Sequence, residues 1–397
     1  MTQNIHLINA DVITGLKSID DNSIDTIITS PPYWGLRNYQ VDGQIGMEPA
    51  LEEYLEGLLK VTKECKRVLK PTGVMFWNHG DSYPSGGGKA IESSFNRNMG
   101  IDTNSQPDYR VSAKLRSQRG KCLIMQNERL IMQMIDNQGW ILRNRIIWHK
   151  PNGMPSSVTD RFSSKYEPVY MLTKNKKYHF DLDAVRIPHV PNVLKRQNNI
   201  KDGYGTGYGN GETSQRGFGG HILGKNPGDV WTIPTQPHKN AHSATFPDKL
   251  IEPMIKAGCP LNVCPKCGFI RERINKRSET PPDDVFTATN APQDGMVLSG
   301  AWRGNGKGSG QKRYDWQVSH PTVTIGWSSC DCNIGWEPGI VLDPFAGSGT
   351  TMKMAKALGR SAIGIELNPE YCNIIKKNLL FHQHTLGNII NKFTVLK

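Results

Sequence analysis

Apolar residues fall in short runs at both ends of the chain, separated by stretches with helical spacing. "IHLI" (5–8) and "SIDTIIT" (23–29) are isoleucine-rich and bounded by polar turn residues, which predicts two short buried strands. Between them "DVITGLKSI" has helix-like spacing, with Asp11 placed to cap. From 51 to 69, apolar side chains recur at Leu51, Tyr54, Leu55, Leu58, Val61, Cys65, Val68 and Leu69. That spacing predicts an amphipathic helix, stopped by Pro71 and Gly73. "GVMFWN" then reads as a buried strand, a second helix covers about 123–138 and closes at Gly139, and "WILRNRIIWHK" and "EPVYMLTK" follow as strands. Near the carboxyl end come "GIVLDPFAGSGTTMKMAKALG", "SAIGIELNPEY" and a last helix to about His384. Strands alternating with helices predict an α/β fold on a parallel sheet.

Three stretches break this rhythm. Residues 84–121 are polar, glycine-rich and basic, with Lys89, Arg97, Arg110, Lys114, Arg116, Arg119 and Lys121. Residues 184–226 include "KDGYGTGYGNGETSQRGFGG", a composition that cannot build a core. Residues 261–336 hold two close cysteine pairs in another polar, glycine-containing segment. No internal repeat of fixed period is present.

Charge narrows the partners. The 397-residue chain carries a net charge of +12 and has a pI near 9.2, which favours a polyanion, nucleic acid ahead of membrane. No run approaches the ~20 apolar residues that cross a bilayer. The amino terminus lacks a basic region followed by an apolar core, so the expected location is the cytoplasm. Eight cysteines in a chain this long do not suggest a disulfide scaffold.

"VLDPFAGSGTT" (341–351) is a strand ending on an acid, then a small-residue loop, then a helix start. Gly347 and Gly349 let backbone approach a ligand closely, and the helix start offers unpaired N–H groups. A second strand, "AIGIE", ends on Glu366, where a carboxylate suits ribose hydroxyls. The loop lacks the Lys-Ser/Thr pair of a P-loop and the third glycine of the dinucleotide fingerprint. Asp343 would repel phosphate and suits a cation such as an amino group. A nucleoside carrying an amino acid describes S-adenosylmethionine.

"TSPPYW" (29–34) poses a different question, because it ends a buried strand on residues without backbone donors. Ser30 Oγ and the Pro31 carbonyl are therefore placed to accept the two N–H bonds of an exocyclic amine, with Pro32 stiffening the turn. Tyr33, and after it Trp34, would stack on the base. A base inside a duplex is out of reach of such a loop, so it must be swung out of the stack.

"TSPPYW" with "DPFAGSGTT" resembles the DNA amino-methyltransferases, which modify cytosine N4 or adenine N6, in the permuted motif order of their β group. "VLKPTGVMFWNHGDSY", "RNRIIWHKPNGMPSS", "SKYEPVYMLTK" and "AHSATFPDKLIEPMIKAGCP" extend the resemblance over most of the chain outside the three interruptions. It implies a Rossmann-like methyltransferase sheet with loop-rich insertions. It assigns Ser30, Pro31, Pro32 and Tyr33 to the catalytic loop. Phe345, Gly347, Ser348, Gly349 and Glu366 would hold the cofactor, with Asp343 at its methionine end and Asp11 near its adenine. His242, Thr245 and Phe246 of "HSATFP" would approach from the other side. The leading serine inclines the target to cytosine N4, with adenine N6 the alternative. An RNA or protein-amide acceptor, or a zinc-ribbon protein that only binds DNA, are further readings. Double-stranded DNA is the expected partner, the β group makes a homodimer a further expectation, and a companion restriction endonuclease is a candidate partner. The catalytic domain would then run through 1–183, 227–260 and 337–397, with 184–226 a flexible insertion that competes with the basic loop 84–121 as the candidate target-recognition region, and 261–336 a second insertion.

Within that second insertion, "CPKCG" (Cys264, Cys267) and "CDC" (Cys330, Cys332) offer four thiolates to a tetrahedral Zn²⁺. The first pair has knuckle spacing, while the second is tighter and far along the chain. The expected zinc is structural, in a small ribbon. Neighbouring Lys266, Arg271, Arg273, Lys276 and Arg277 suit phosphate contacts.

Overall fold

The computed structural model describes residues 3–36, 38–39, 41–83, 121–153, 156–187, 224–236, 246–277, 322–381 and 392–396. His242 and Thr245, and most of the 84–121 and 184–226 stretches, lie outside them. Cα packing divides the chain into two units.

The larger unit comprises Met1–Ala184, Gly228–Ile270 and Cys332–Lys397. It is built on β1 (Asn4–Asn9), β2 (Ile24–Thr29), β3 (Leu69–Asn78), β4 (Ile141–His149), β5 (Tyr166–Thr173), β6 (Val230–Thr232), β9 (Ile340–Asp343), β10 (Ser361–Glu366) and β11 (Lys392–Leu396). These form one sheet in the order β11-β1-β10-β9-β2-β3-β5-β4-β6. Its helices are α1 (Val12–Lys17), α2 (Leu51–Val68), α3 (Gln126–Gln138), α4 (Asp248–Gly258), α5 (Thr350–Ala357) and α6 (Pro369–Phe381).

Alternation along the strands decides how the helices are shared. In β2 every residue is buried, yet Ile27 packs with Leu16, Leu58 and Leu130 while Ile28 packs with Leu250, Ile255 and Met352. Helices α1, α2 and α3 thus cover one face, and α4, α5 and α6 the other. The ends follow local chemistry. Asp11 Oδ1 accepts from the backbone N–H of Ile13 and Thr14, as an N-cap should. Gly139 closes α3 in the left-handed conformation.

The sheet differs from expectation at one edge. It is parallel from β11 to β3, but β5 runs antiparallel to both β3 and β4. The described residues joining β4 to β5 contain no helix. Without a crossover helix to carry the chain back over the sheet, the two strands form a hairpin.

The parallel part has a switch point. From β2 the chain proceeds through α2 to β3 on one side, and from β9 through α5 to β10 on the other. β2 and β9 are parallel neighbours, with Thr26 opposite Val341 and Ile27 opposite Leu342. The loops leaving these two strands therefore emerge side by side, where an open α/β sheet has its crevice.

The smaller unit comprises Val185–Pro227 and Arg271–Asp331. It contains the antiparallel pair β7 (Arg273–Arg277) and β8 (Thr322–Trp327), with the Arg273 guanidinium 5.4 Å from the Trp327 ring centre. Among the described residues no helix is long and apolar enough to cross a membrane.

Candidate active site

A cavity lies at the switch point, lined by Ser30 and Pro32 from the loop after β2 and by Phe345, Gly347 and Ser348 from the loop after β9. Glu366 at the end of β10, Tyr371 of α6, and Tyr39, Val41 and Gln44 from the loop beyond Tyr33 complete its wall. The two loops are tied directly. Thr29 Oγ1 donates to Asp343 Oδ1 at 2.7 Å, and Thr351 Oγ1 donates to Asp343 Oδ2 at 2.7 Å. With the Phe345 N–H also on Oδ1, this carboxylate is consumed by the fold, and burial pushes its pKa up to about 6. It is 2% exposed and does not line the cavity, unlike the expected contact with a ligand's amino group. Asp11 likewise spends its carboxylate on the cap of α1, while its neighbours Ala10 and Val12 line the cavity.

Glu366 is placed differently. Its Oε2 accepts from Gly347 N–H and its Oε1 from Asn368 N–H, both at 2.8 Å, and it remains on the cavity wall. Burial outweighs those bonds and raises its pKa to about 7. Gly347 stands at φ +53°, and a Cβ there would meet nothing nearer than the Phe345 carbonyl at 3.9 Å. Gly349 at φ +80° instead packs against α6, where an added Cβ would lie 3.0 Å from Ile375 Cγ1. Gly347 opens the cavity and Gly349 seats the helix behind it. An enclosed acceptor that keeps its ionised form at a cost suits a ligand bringing two hydroxyl donors, so these residues fit a nucleoside. Phe246 packs with the core under α4 and is not among the cavity residues.

The loop after β2 is braced from behind by residues that motif reading does not find. Tyr54 Oη, on α2, donates to the Pro32 carbonyl at 2.8 Å and lies 3.0 Å from His79 Nε2. Since the Tyr54 proton goes to Pro32, His79 must donate from Nε2, leaving Nδ1 bare, and Nδ1 indeed has no partner among the described residues. Burial pulls the His79 pKa down to about 3, so this ring is neutral. Trp34 Nε1 donates to the Glu48 carbonyl at 2.7 Å and Pro31 is buried, fixing the turn on its far side.

Tyr33 does not line the cavity; its ring lies against His79, with centroids 5.3 Å apart, and over Gly80, where a Cβ would come within 2.8 Å of it. Its hydroxyl donates to Glu167 Oε2 at 3.1 Å and lies 3.4 Å from Ser30 Oγ. Burial and the Glu167 charge together hold that hydroxyl well above the ordinary tyrosine pKa. Glu167, from β5, is ion-paired through Oε1 to Lys150 at the end of β4, whose ammonium sits 4.3 Å from the Trp148 ring centre.

Separately, the sulfurs of Cys264, Cys267, Cys330 and Cys332 all lie within 4.8 Å of one another. A tight turn, Gly268 N–H to Cys264 O at 2.9 Å, sets the first pair, and the reciprocal Val263–Glu337 bridge returns the chain beside it. Tetrahedral thiolates on zinc sit roughly 3.8 Å apart at a Zn–S length of ~2.3 Å, so the donor set fits Zn²⁺.

The DNA methylase family model matches residues 24–262 and 333–377. The chain is 30% identical over 376 residues to the type II methyltransferase M.Cfr9I of Citrobacter freundii, covering 94% of this chain and 87% of that one. It is 28% identical over 374 residues to M.SmaI of Serratia marcescens, covering 94% and 90%. Among solved structures, the PvuII cytosine-N4-specific DNA methyltransferase shares the fold at a TM-score of 0.50 and 17% identity, over 98% of this chain and 89% of that one. The chain thus belongs to the N6/N4 DNA methylase family and is an S-adenosylmethionine-dependent DNA methyltransferase.

Proposed function

We propose that the protein methylates the exocyclic amine of a base everted from duplex DNA, cytosine N4 in preference to adenine N6, at one recognition sequence. The observation that carries this reading is the shared cavity: Ser30 and Gly347, far apart along the chain, line one space. When bound, the cofactor supplies an electrophilic methyl group on a sulfonium. Gly347, Phe345, Ser348 and Glu366 are the residues that would hold it, Glu366 through its carboxylate. Ser30 Oγ and the Pro31 carbonyl would accept the amine's two N–H bonds, drawing its lone pair out of the ring and toward the methyl. Tyr33 would bear on the base face. Asp343 holds the two loops in register rather than touching either ligand.

Charge supports the DNA partner, since a net +12 chain attracts phosphate. The type II relatives motivate a companion restriction endonuclease of the same specificity, and the β-group resemblance motivates a homodimer, which light scattering on the purified protein tests. The four cysteines would hold a structural zinc, their sulfurs filling all four positions.

The function is tested by expressing the chain in methylation-free cells, mapping modified sites by sequencing, and identifying the nucleoside by mass spectrometry. N4-methylcytosine is expected. N6-methyladenine would move the target to adenine, and unmodified DNA from cofactor-competent protein would overturn the reading. Ser30→Ala and Tyr33→Ala should abolish turnover while cofactor affinity changes less than about threefold.

A further inference from the structure

The serine at the head of the catalytic loop leaves a chemical gap. Methylating an amine leaves the nitrogen with one proton too many, and a serine hydroxyl is a poor final acceptor for it. We propose that Glu167 supplies the missing carboxylate, acting on the target amine through the hydroxyls of Tyr33 and Ser30. This rests on the assignment of the target amine to Ser30.

The direction of the hydrogen-bond chain follows from counting protons. A carboxylate oxygen can only accept, so the Tyr33 hydroxyl donates its single proton to Glu167 Oε2. Tyr33 Oη is then left with lone pairs only, and in its 3.4 Å contact with Ser30 Oγ the serine is the donor. Ser30 in turn keeps its lone pairs for an incoming N–H. The carboxylate 134 residues along the chain thereby sets the polarity that the catalytic serine needs.

The surroundings hold this order. Lys150 occupies Glu167 Oε1 and leaves Oε2 to Tyr33. Asn78 Nδ2 donates to the Pro168 carbonyl at 3.1 Å and stands 3.5 Å from Oε2, so it cannot take a proton from the chain. His79, beside the Tyr33 ring, has its Nε2 committed to Tyr54 and its Nδ1 buried without a partner among the described residues. Gly80 lets the chain close, because a side chain there would strike both Tyr33 Cε2 at 2.8 Å and Glu167 Cδ at 3.3 Å.

The step balances. As the N–C bond forms and the methyl–sulfur bond breaks, the sulfur keeps the electron pair and the nitrogen becomes cationic. One amine proton passes to Ser30 Oγ, the Ser30 proton to Tyr33 Oη, and the Tyr33 proton to Glu167 Oε2. Both hydroxyls end as they began, the product amine is neutral, and the carboxylate ends as the acid, to be discharged to solvent. No further reactant is needed. The contacts are long for a working relay, as such contacts are before substrate tightens them.

The test uses the full-length protein with S-adenosylmethionine and a duplex carrying the mapped site, in single turnover with enzyme in excess. Glu167→Gln keeps an acceptor for Tyr33 but cannot take up the proton; Tyr33→Phe keeps the ring but breaks the chain. Each should slow methyl transfer by about 100-fold or more, the scale of lost acid–base assistance. Equilibrium constants for duplex and for S-adenosylhomocysteine should stay within threefold of wild type. The double variant should be no slower than the worse single one, since both remove one pathway. Glu167→Asp should recover part of the rate.

A Glu167→Gln rate within threefold of wild type would overturn the proposal. So would a loss that appears in the binding constants instead of the rate, or a double variant whose defects multiply. Failure of the underlying target assignment would look different: Ser30→Ala would retain wild-type transfer.

Discussion

Glu366 links the cavity to pH in a way that can be worked through. Its carboxyl is raised from 4.5 to about 7 by burial, against the pull of the Asn368 and Gly347 amides. That shift costs the ionised form about 3 kcal/mol. In the unfolded chain the group ionises at its ordinary value. The folded apoprotein therefore has this contribution in full below about pH 4.5 and loses it as pH rises through about 7. Affinity for a ligand whose hydroxyls donate to the carboxylate runs the other way, because only the ionised form accepts both. S-adenosylhomocysteine should bind with constant affinity above about pH 8 and about tenfold more weakly at pH 6. Isothermal titration across pH 5.5–8.5 reads this directly. Glu366→Gln should bind more weakly at pH 8, by about 1–2 kcal/mol, and show no slope. A wild-type affinity independent of pH, or a variant that keeps the slope, would refute the argument.

Other outcomes follow from features already described. Gly349→Ala combines left-handed strain of about 1–2 kcal/mol with overpacking of about 1–3 kcal/mol against Ile375, so its melting temperature should fall by several degrees. Gly347→Ala has room for the methyl but places it at the cavity, so it should melt closer to wild type and lose at least about tenfold in cofactor affinity, some 1.4 kcal/mol. Tyr54→Phe strips the donor from the Pro32 carbonyl and the acceptor from His79, which should cost about 1–3 kcal/mol of stability and slow methyl transfer, read by melting and single-turnover rates. Elemental analysis should find about one zinc per chain, and chelation should lower the melting temperature while leaving cofactor affinity in place; less than about half an equivalent after gentle purification would defeat the zinc assignment.

Much of the fold could be read from spacing alone. The helix predicted over 51–69 is α2 at Leu51–Val68, and the strands at 5–8 and 23–29 are β1 and β2. Gly139 and Asp11 cap where their chemistry says they should. The antiparallel hairpin was missed because strand runs declare themselves locally while their direction depends on what joins them. The brace behind the loop was hidden for a related reason. Tyr54 counts as one more apolar position of an amphipathic helix, and its hydroxyl matters only once Pro32 and His79 lie beside it. Glu167 sits at the start of an apolar strand, with nothing nearby to mark its partner. The bonding of Asp343 was hidden in the same way, because the two threonines that saturate it, Thr29 and Thr351, come from the end of β2 and the first turn of α5.

The Val263–Glu337 bridge carries a consequence for how such proteins diversify. It clamps the two stems of a long excursion just before β9, so the polypeptide between them can change length or identity without tugging on that strand. Loop-closure entropy grows only slowly with added residues, about 0.6 kcal/mol per doubling, so the clamp tolerates exchange. A different excursion could be spliced in at that point while the chemistry at the sheet's crevice stays untouched.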